Sequence, residues 1–228
     1  MKLDLKQHLK EMISAGGPSG YEDSIREIIR NAWQPLADEI RVNNLGSLVA
    51  IRHGEGTEPR PSVMIAAHMD AIGLMVTGID EGFLRFMQVG GVDPRILPGQ
   101  MVTVHATNAD VPRDLPGMVV MPPAALLPKD GKSGPLPQKY LLVDTGLLPN
   151  DVKKLVRVGD VISFATEPME LCSECISGHT LDNRASVAAV TVALEMLSKR
   201  KHLWDVIAVA TSQEEVGGIG SMTDAVAI

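Results

Sequence analysis

Apolar and polar positions recur with two different periods along this chain, and the places where the period changes mark its elements. Leu5, Leu9 and Met12 recur at helical spacing near the start. Ile25, Ile28 and Ile29 recur on one helical face, and Ser19 followed by Glu22 has the S-x-x-E form of a capping box, so the spacing predicts a helix over 21–33. Short runs over 39–42 and 47–51 flank Asn43-Asn44-Leu45-Gly46, whose Asn and Gly residues accept turn conformations, which predicts a hairpin. The run SVMIAA over 62–67 is unbroken by polar residues and stops at His68, the pattern of a strand buried on both faces. DVIAVAT over 205–211 repeats it and stops before Gln213-Glu214-Glu215. Between these runs Val187, Val190, Leu194 and Leu197 mark a helix, with Asp182 or Asn183 available as its N-cap.

Strands alternating with helices predict an α/β domain, and ligands of open α/β sheets bind at the carboxyl ends of strands. The stretch 71–164 has a different texture. It holds ten of the 15 prolines, and its apolar runs, 74–76, 101–104, 118–121, 140–143 and 161–164, are short and separated by Gly and Pro. It is expected to form a small β-rich domain inserted into the α/β domain.

Composition narrows the function classes. With 45% hydrophobic and 21% charged residues the chain is an ordinary globular one, neither disordered nor membrane-embedded. A net charge of -7 gives no basic footprint for a phosphate backbone, so nucleic acid is not expected as a partner. The start interleaves charge with its apolar residues, unlike the unbroken core of an export signal. Cys172 and Cys175 are too few for a disulfide framework. No membrane association and a cytoplasmic location are expected. As a lone C-x-x-C, the cysteine pair lacks the second pair that a structural zinc site needs.

Three segments can carry chemistry. On extended backbone His68 and Asp70 share a face, so a carboxylate can accept one imidazole N–H while the other nitrogen binds a metal; a strand-end hydrogen bond is the plainer reading. Asp182, at a helix start, can bridge two cations or cap the helix. Glu214 and Glu215 are adjacent, and their carboxylates converge only where a strand is ending, which the glycines at 217 and 218 permit; one can bind metal while the other takes a proton from water, or the pair can be a solvated turn. There is no phosphate-binding P-loop, no nucleophile elbow and no dinucleotide fingerprint between a strand and a helix. His8, His53, His105 and His202 are isolated in the sequence, and His179 lies three residues before Asp182.

Together the segments resemble the TET-type (tetrahedral) dinuclear metallo-aminopeptidases, a family that includes glutamyl, leucyl, lysyl and deblocking aminopeptidases and some members described as endoglucanases. The resemblance rests on GGPSGYED at 16–23, NNLGSL at 43–48, AAHMDAIG at 66–73, VGGVDPRILPGQMV at 89–102, LDNR at 181–184 and SQEEVGGIG at 212–220. It implies that His68 and Glu215 are terminal metal ligands, that Asp182 bridges two divalent ions (zinc or cobalt), that Glu214 is the general base and that Asp70 partners His68. It also implies a zinc-peptidase-like α/β/α sandwich over 1–70 and 165–228, interrupted by a barrel-like dimerisation domain over 71–164. Peptides with a free N-terminus are the implied substrates, and dimers assembling into a dodecamer the implied homo-oligomer. The sequence departs from the family at Ala124 and Ala125, where a His often follows the prolines. It also stops before an Asp ligand and a His ligand that members carry further on, so a C-terminally truncated fragment is expected. Two other functions fit less of the sequence. One is a non-catalytic assembly module; the other is a glycoside hydrolase, which needs two carboxyls about 5–9 Å apart across one bond.

Overall fold

The computed structural model describes residues 3–123, 125–127 and 136–227. Ala124 falls outside the described residues. The chain forms two compact units, Met1–Ala71 with Glu167–Ile228, and Ile72–Thr166.

The first unit is mixed α/β. Its sheet contains β1 (Glu39–Val42), β2 (Leu48–Arg52), β3 (Ser62–His68) and β12 (Asp205–Thr211) in the order β1-β2-β12-β3. The β1–β2 hairpin turns where Asn43 Oδ1 accepts the N–H groups of Leu45 and Ser47 at 2.9 and 3.0 Å, an Asx-type turn closed by Gly46 at φ 96°. β12 runs antiparallel to β2 and parallel to β3, with Thr211 beside His68, so the two parallel strands end together.

Helices α1 (Leu5–Ser14), α2 (Asp23–Trp33) and α4 (Leu181–Leu197) present Met12, Ile25, Ile29, Trp33, Val187 and Leu194 to one core with Leu48, Ala50, Ala208 and Ala210. The alternate strand residues Val49, Ile207 and Val209 form a second cluster, as the period of two requires. Each large side chain so buried contributes roughly 1.5–3 kcal/mol. Trp33 is fully buried, and its indole N–H donates to Thr191 Oγ1 at 2.8 Å, which removes the penalty of a polar group in the core.

Three local expectations are corrected. β3 is not buried on both faces: it lies at the sheet edge, paired only with β12 among the described strands, and Val63 and Met64 are 41% and 36% exposed. α2 begins at Asp23 with Glu22 in the N-cap position and no side-chain cap, so Ser19 and Glu22 do not form a capping box. α4 is preceded by Thr180, and neither Asp182 nor Asn183 caps it; both have non-helical backbone angles, joined by a cis peptide.

The second unit is a closed barrel in the order β4-β5-β8-β7-β6-β9, formed by β4 (Gly73–Asp80), β5 (Phe83–Val89), β6 (Met101–Ala106), β7 (Arg113–Val120), β8 (Leu142–Asp144) and β9 (Val161–Phe164). Alternate residues point inward, among them Leu74, Val76, Leu84, Phe86, Val102, Val104, Val143 and Ile162. Helix α3 (Pro149–Leu155) adds Val152 to this core. β10 (Met169–Glu170) and β11 (Ile176–Ser177) belong to the first unit as a separate hairpin, with Cys172 and Cys175 exposed as free thiols near its tip.

Candidate metal centre

The carboxyl ends of β3 and β12 carry the candidate residues. His68 is the last residue of β3, and the Met69 N–H donates to Thr211 O at 2.9 Å, locking the two strand ends together. The imidazole is 8% exposed, with Nε2 lying 3.2 Å from Asp182 Oδ1 and 3.7 Å from Glu214 Oε2. Its Nδ1 faces Asp70, 3.3 Å from the backbone carbonyl and 3.5 Å from Oδ1. Ligand atoms of His68, Glu214 and Glu215 all lie within 4.8 Å of one another.

Asp70 is fully buried, yet its carboxylate is well supplied with donors. Ser19 Oγ donates to Oδ2 at 2.5 Å, the Glu214 N–H to Oδ1 at 3.0 Å and the Glu215 N–H to Oδ2 at 3.1 Å. Burial raises its pKa, but hydrogen bonds from His68, Ser19, Glu214 and Glu215 outweigh this, and the net direction is down. Asp70 is therefore held as an anion. For His68 the balance runs the other way. Burial lowers the pKa, while Asp70 and Glu214 raise it, to about 9. Glu215 is pushed up by burial, with Asp70, Glu214 and Asp182 adding to the rise against the opposing pull of His68. One imidazole is thus surrounded by carboxylates whose mutual repulsion is only partly relieved. A divalent cation relieves such repulsion, and one imidazole with several carboxylates can hold one.

Asp182 reaches the cluster because the backbone departs from the helix there: its φ and ψ are -83° and 106°, and its side chain is 89% exposed beside His68. Two positions later Arg184 is fully buried. Its guanidinium donates to the carbonyls of Met69 at 3.0 Å, Met12 at 2.5 Å and Ala15 at 2.6 Å, tying the end of β3 to the end of α1. Burial draws its pKa down to about 10, with the charges of Asp70 and Glu22 acting against that fall. A side chain on Gly17 would meet Arg184 Nη2 at 2.9 Å and Ile25 Cγ2 at 2.8 Å, so the glycine makes room for this buried cation.

Glu22, 3% exposed, completes the surroundings of Glu214 and Glu215. Its Oε1 accepts the Gly20 N–H at 2.8 Å and the Gln213 N–H at 3.1 Å. Burial raises its pKa despite these donors.

Sequence reasoning missed Ser19, Glu22 and Arg184 as parts of these surroundings. Arg184 had a legible signal: it lies on the same helical stripe as Val187, Thr191 and Leu194, where a charge must find internal partners. Ser19 and Glu22 had none, since their partners are far along the chain. Two other histidines lie elsewhere. His105 joins Asp114 and Ser163 on the barrel wall at 2.7 and 2.9 Å, and His53 joins Asp205 and Glu39, both at 3.2 Å.

Comparison with known proteins adds to this geometry. Residues 46–228 match the family model described as M42 glutamyl aminopeptidase. The chain is 32% identical to the lysyl aminopeptidase of Pyrococcus furiosus over 225 residues, covering 96% of this chain and 62% of that protein. Among solved structures it resembles the TET aminopeptidase of a marine-sediment Thaumarchaeota archaeon, with a TM-score of 0.90 and 28% identity, over 98% of this chain and 62% of that one. It also resembles the TET1 peptidase of Pyrococcus horikoshii, which can assemble into a tetrahedron or a large octahedral shell; the TM-score is 0.84 and the identity 34%, over 97% of this chain and 65% of that one. The chain spans 63%, 62% and 61% of the length of three curated relatives that it matches.

Proposed function

The chain belongs to the M42 glutamyl aminopeptidase family, and from that premise we propose that it carries the general base and part of the ligand set of a two-metal aminopeptidase acting on peptides with a free N-terminus. The observation that carries this reading is the convergence of His68, Asp182, Glu214 and Glu215 where two parallel strands end together.

In this reading His68 and Glu215 would be terminal ligands, and Asp182 a shared ligand, for two divalent cations, zinc or cobalt. Cations bound there supply Lewis acidity toward a peptide carbonyl and acidify water. Asp70 accepts the proton-bearing Nδ1 side of His68 and so keeps Nε2 turned toward the site. Glu214 would accept the proton of the attacking water and return it to the departing amine, a role supported by its half-exposed carboxylate lying 3.7 Å from His68 Nε2. The relatives' length beyond what this chain spans is where we place any further ligands and part of the specificity pocket.

We further propose a homo-oligomer, with dimers assembling into a dodecamer and the barrel as the dimerisation domain. Support comes from the assembly described for the Pyrococcus horikoshii relative and from the exposed Met87, Met101, Met118 and Met121 of the barrel unit. No helix is long and apolar enough to cross a membrane, and we propose a cytoplasmic location.

Metal titration tests the reading. Calorimetry with zinc or cobalt is expected to give tight binding that His68→Ala abolishes and Glu214→Gln preserves. In a version that hydrolyses an aminoacyl amide, Glu214→Gln is expected to remove turnover. Absence of binding by the unaltered chain, or turnover surviving Glu214→Gln, would overturn the ligand set or the base, respectively.

A further inference from the structure

Three consecutive backbone N–H groups, those of Gln213, Glu214 and Glu215, donate to two buried carboxylates. Asp70 takes the second and third, and Glu22 takes the first at 3.1 Å. Successive amides pointing one way form a concave donor site that elsewhere binds anions; here the protein's own carboxylates fill it.

The backbone explains why such support is needed. Side chains of adjacent strand residues point to opposite faces, so Glu214 and Glu215 cannot serve one site unless the chain turns just before them. It turns at Gln213, whose φ is 55°. That left-handed conformation is unfavourable for a residue with a side chain and persists only where its surroundings fix it. Glu22 bonds the N–H of this very residue, and the Gln213 side chain adds a long contact to Leu45 O at 3.4 Å. Glu22 is itself fixed, because the same oxygen accepts the Gly20 N–H at 2.8 Å and the Gly17–Ser19 segment is laced to Ala71 by backbone bonds of 3.0 and 3.2 Å.

We propose that Glu22 is a positioning residue for the proposed catalytic turn: it holds Gln213 in the left-handed conformation that sets the Glu214 and Glu215 carboxylates on the same side as His68. The inference rests on the metal-site reading for its consequence, but its geometric core is independent of any ion.

Two readouts on the whole chain separate these levels. Amide hydrogen exchange in metal-free protein is expected to accelerate about tenfold or more at 213–215 in Glu22→Ala, with β2, β12 and the barrel strands unchanged. Glu22→Asp, which withdraws the carboxylate by one methylene, is expected to accelerate Gln213 alone and carries the test should Glu22→Ala fail to fold. Glu22→Gln keeps a carbonyl acceptor and is expected to restore protection. In cobalt titrations followed by visible absorption, Glu22→Ala is expected to weaken binding about 10–100-fold and Glu22→Gln to recover most of it. Unchanged exchange at 213–215 in Glu22→Ala or Glu22→Asp overturns the proposal, and so does an equal loss of protection throughout the α/β unit. If the unaltered chain takes up no cobalt while Glu22→Ala still accelerates exchange locally, the metal reading falls and the positioning of the turn stands.

Discussion

The barrel is filled by Leu, Val, Ile and Phe side chains, and its one buried charge among the described residues, Asp160, serves as a loop clamp that accepts the N–H groups of Thr107 and Arg157 at 3.1 and 3.0 Å. The α/β unit buries an equally apolar core, yet beside it lie Glu22, His68, Asp70 and Arg184, all under 9% exposed. Charges are removed from water only at considerable expense unless they are paired and hydrogen-bonded. A single buried carboxylate clamped by backbone N–H groups therefore marks architecture, whereas a buried group of both signs, opening onto exposed carboxylates, marks a place where chemistry is prepared.

The contrast can be broken by experiment, and the optical properties of the chain help. Both tryptophans, Trp33 and Trp204, lie in the α/β unit, so indole fluorescence reports that unit alone. The largest effect is expected for Arg184→Met, which leaves the buried carbonyls of Met69, Met12 and Ala15 without their donor and removes a buried cation whose charge acts on Asp70 and Glu22; about 3–5 kcal/mol of stability should be lost in the tryptophan-detected urea transition. A loss below about 1 kcal/mol would mean that the buried charges do not act as a unit. Leu84→Ala, at a fully buried barrel position, is expected to remove about 2–5 kcal/mol from the barrel, read by amide exchange, and to leave the tryptophan transition in place. Movement of both transitions together would erase the distinction between the units.

The third effect is pH dependence. Burial, with a smaller contribution from the charge of Arg184, pulls His179 down to about 4 from an ordinary 6.5. The folded protein then resists a proton that the unfolded chain accepts. The contribution is fully present above about pH 6.5 and is lost as pH falls toward 4, with a ceiling of about 3 kcal/mol. Unfolding at pH 7 and pH 4.5, with and without His179→Asn, should show the substitution flattening the dependence in this window. An unaltered slope would remove His179 as its source.

Much of the frame was legible in the chain itself. The runs ending at His68 and before Gln213 gave both parallel strands, and Asn43 to Gly46 gave the hairpin, because each depends on local alternation or turn chemistry. β5 was overlooked although Phe83 to Val89 alternates, with Leu84 and Phe86 inward; its Arg85 and Gln88 break the apolar run that made the other strands visible. The misassigned capping box is more instructive. Ser19 and Glu22 have the right spacing for a local cap, but Ser19 bonds a carboxylate 51 residues away and Glu22 an amide 191 residues away. Local spacing cannot distinguish a cap from a long-range bond when both use the same donors and acceptors. The edge position of β3 was hidden for a related reason, since an apolar run indicates what a strand tolerates and not which neighbours it has.

That edge has a practical consequence for anyone handling the protein. A barrel closes on itself, but β3 offers an uncharged, proline-free row, Ser-Val-Met-Ile-Ala-Ala, along which another strand can add. β1 is the other edge of this sheet, and Met64→Lys, a charge of the kind natural sheets use to blunt their edges, is expected to lower self-association through β3 at high concentration, as light scattering would read.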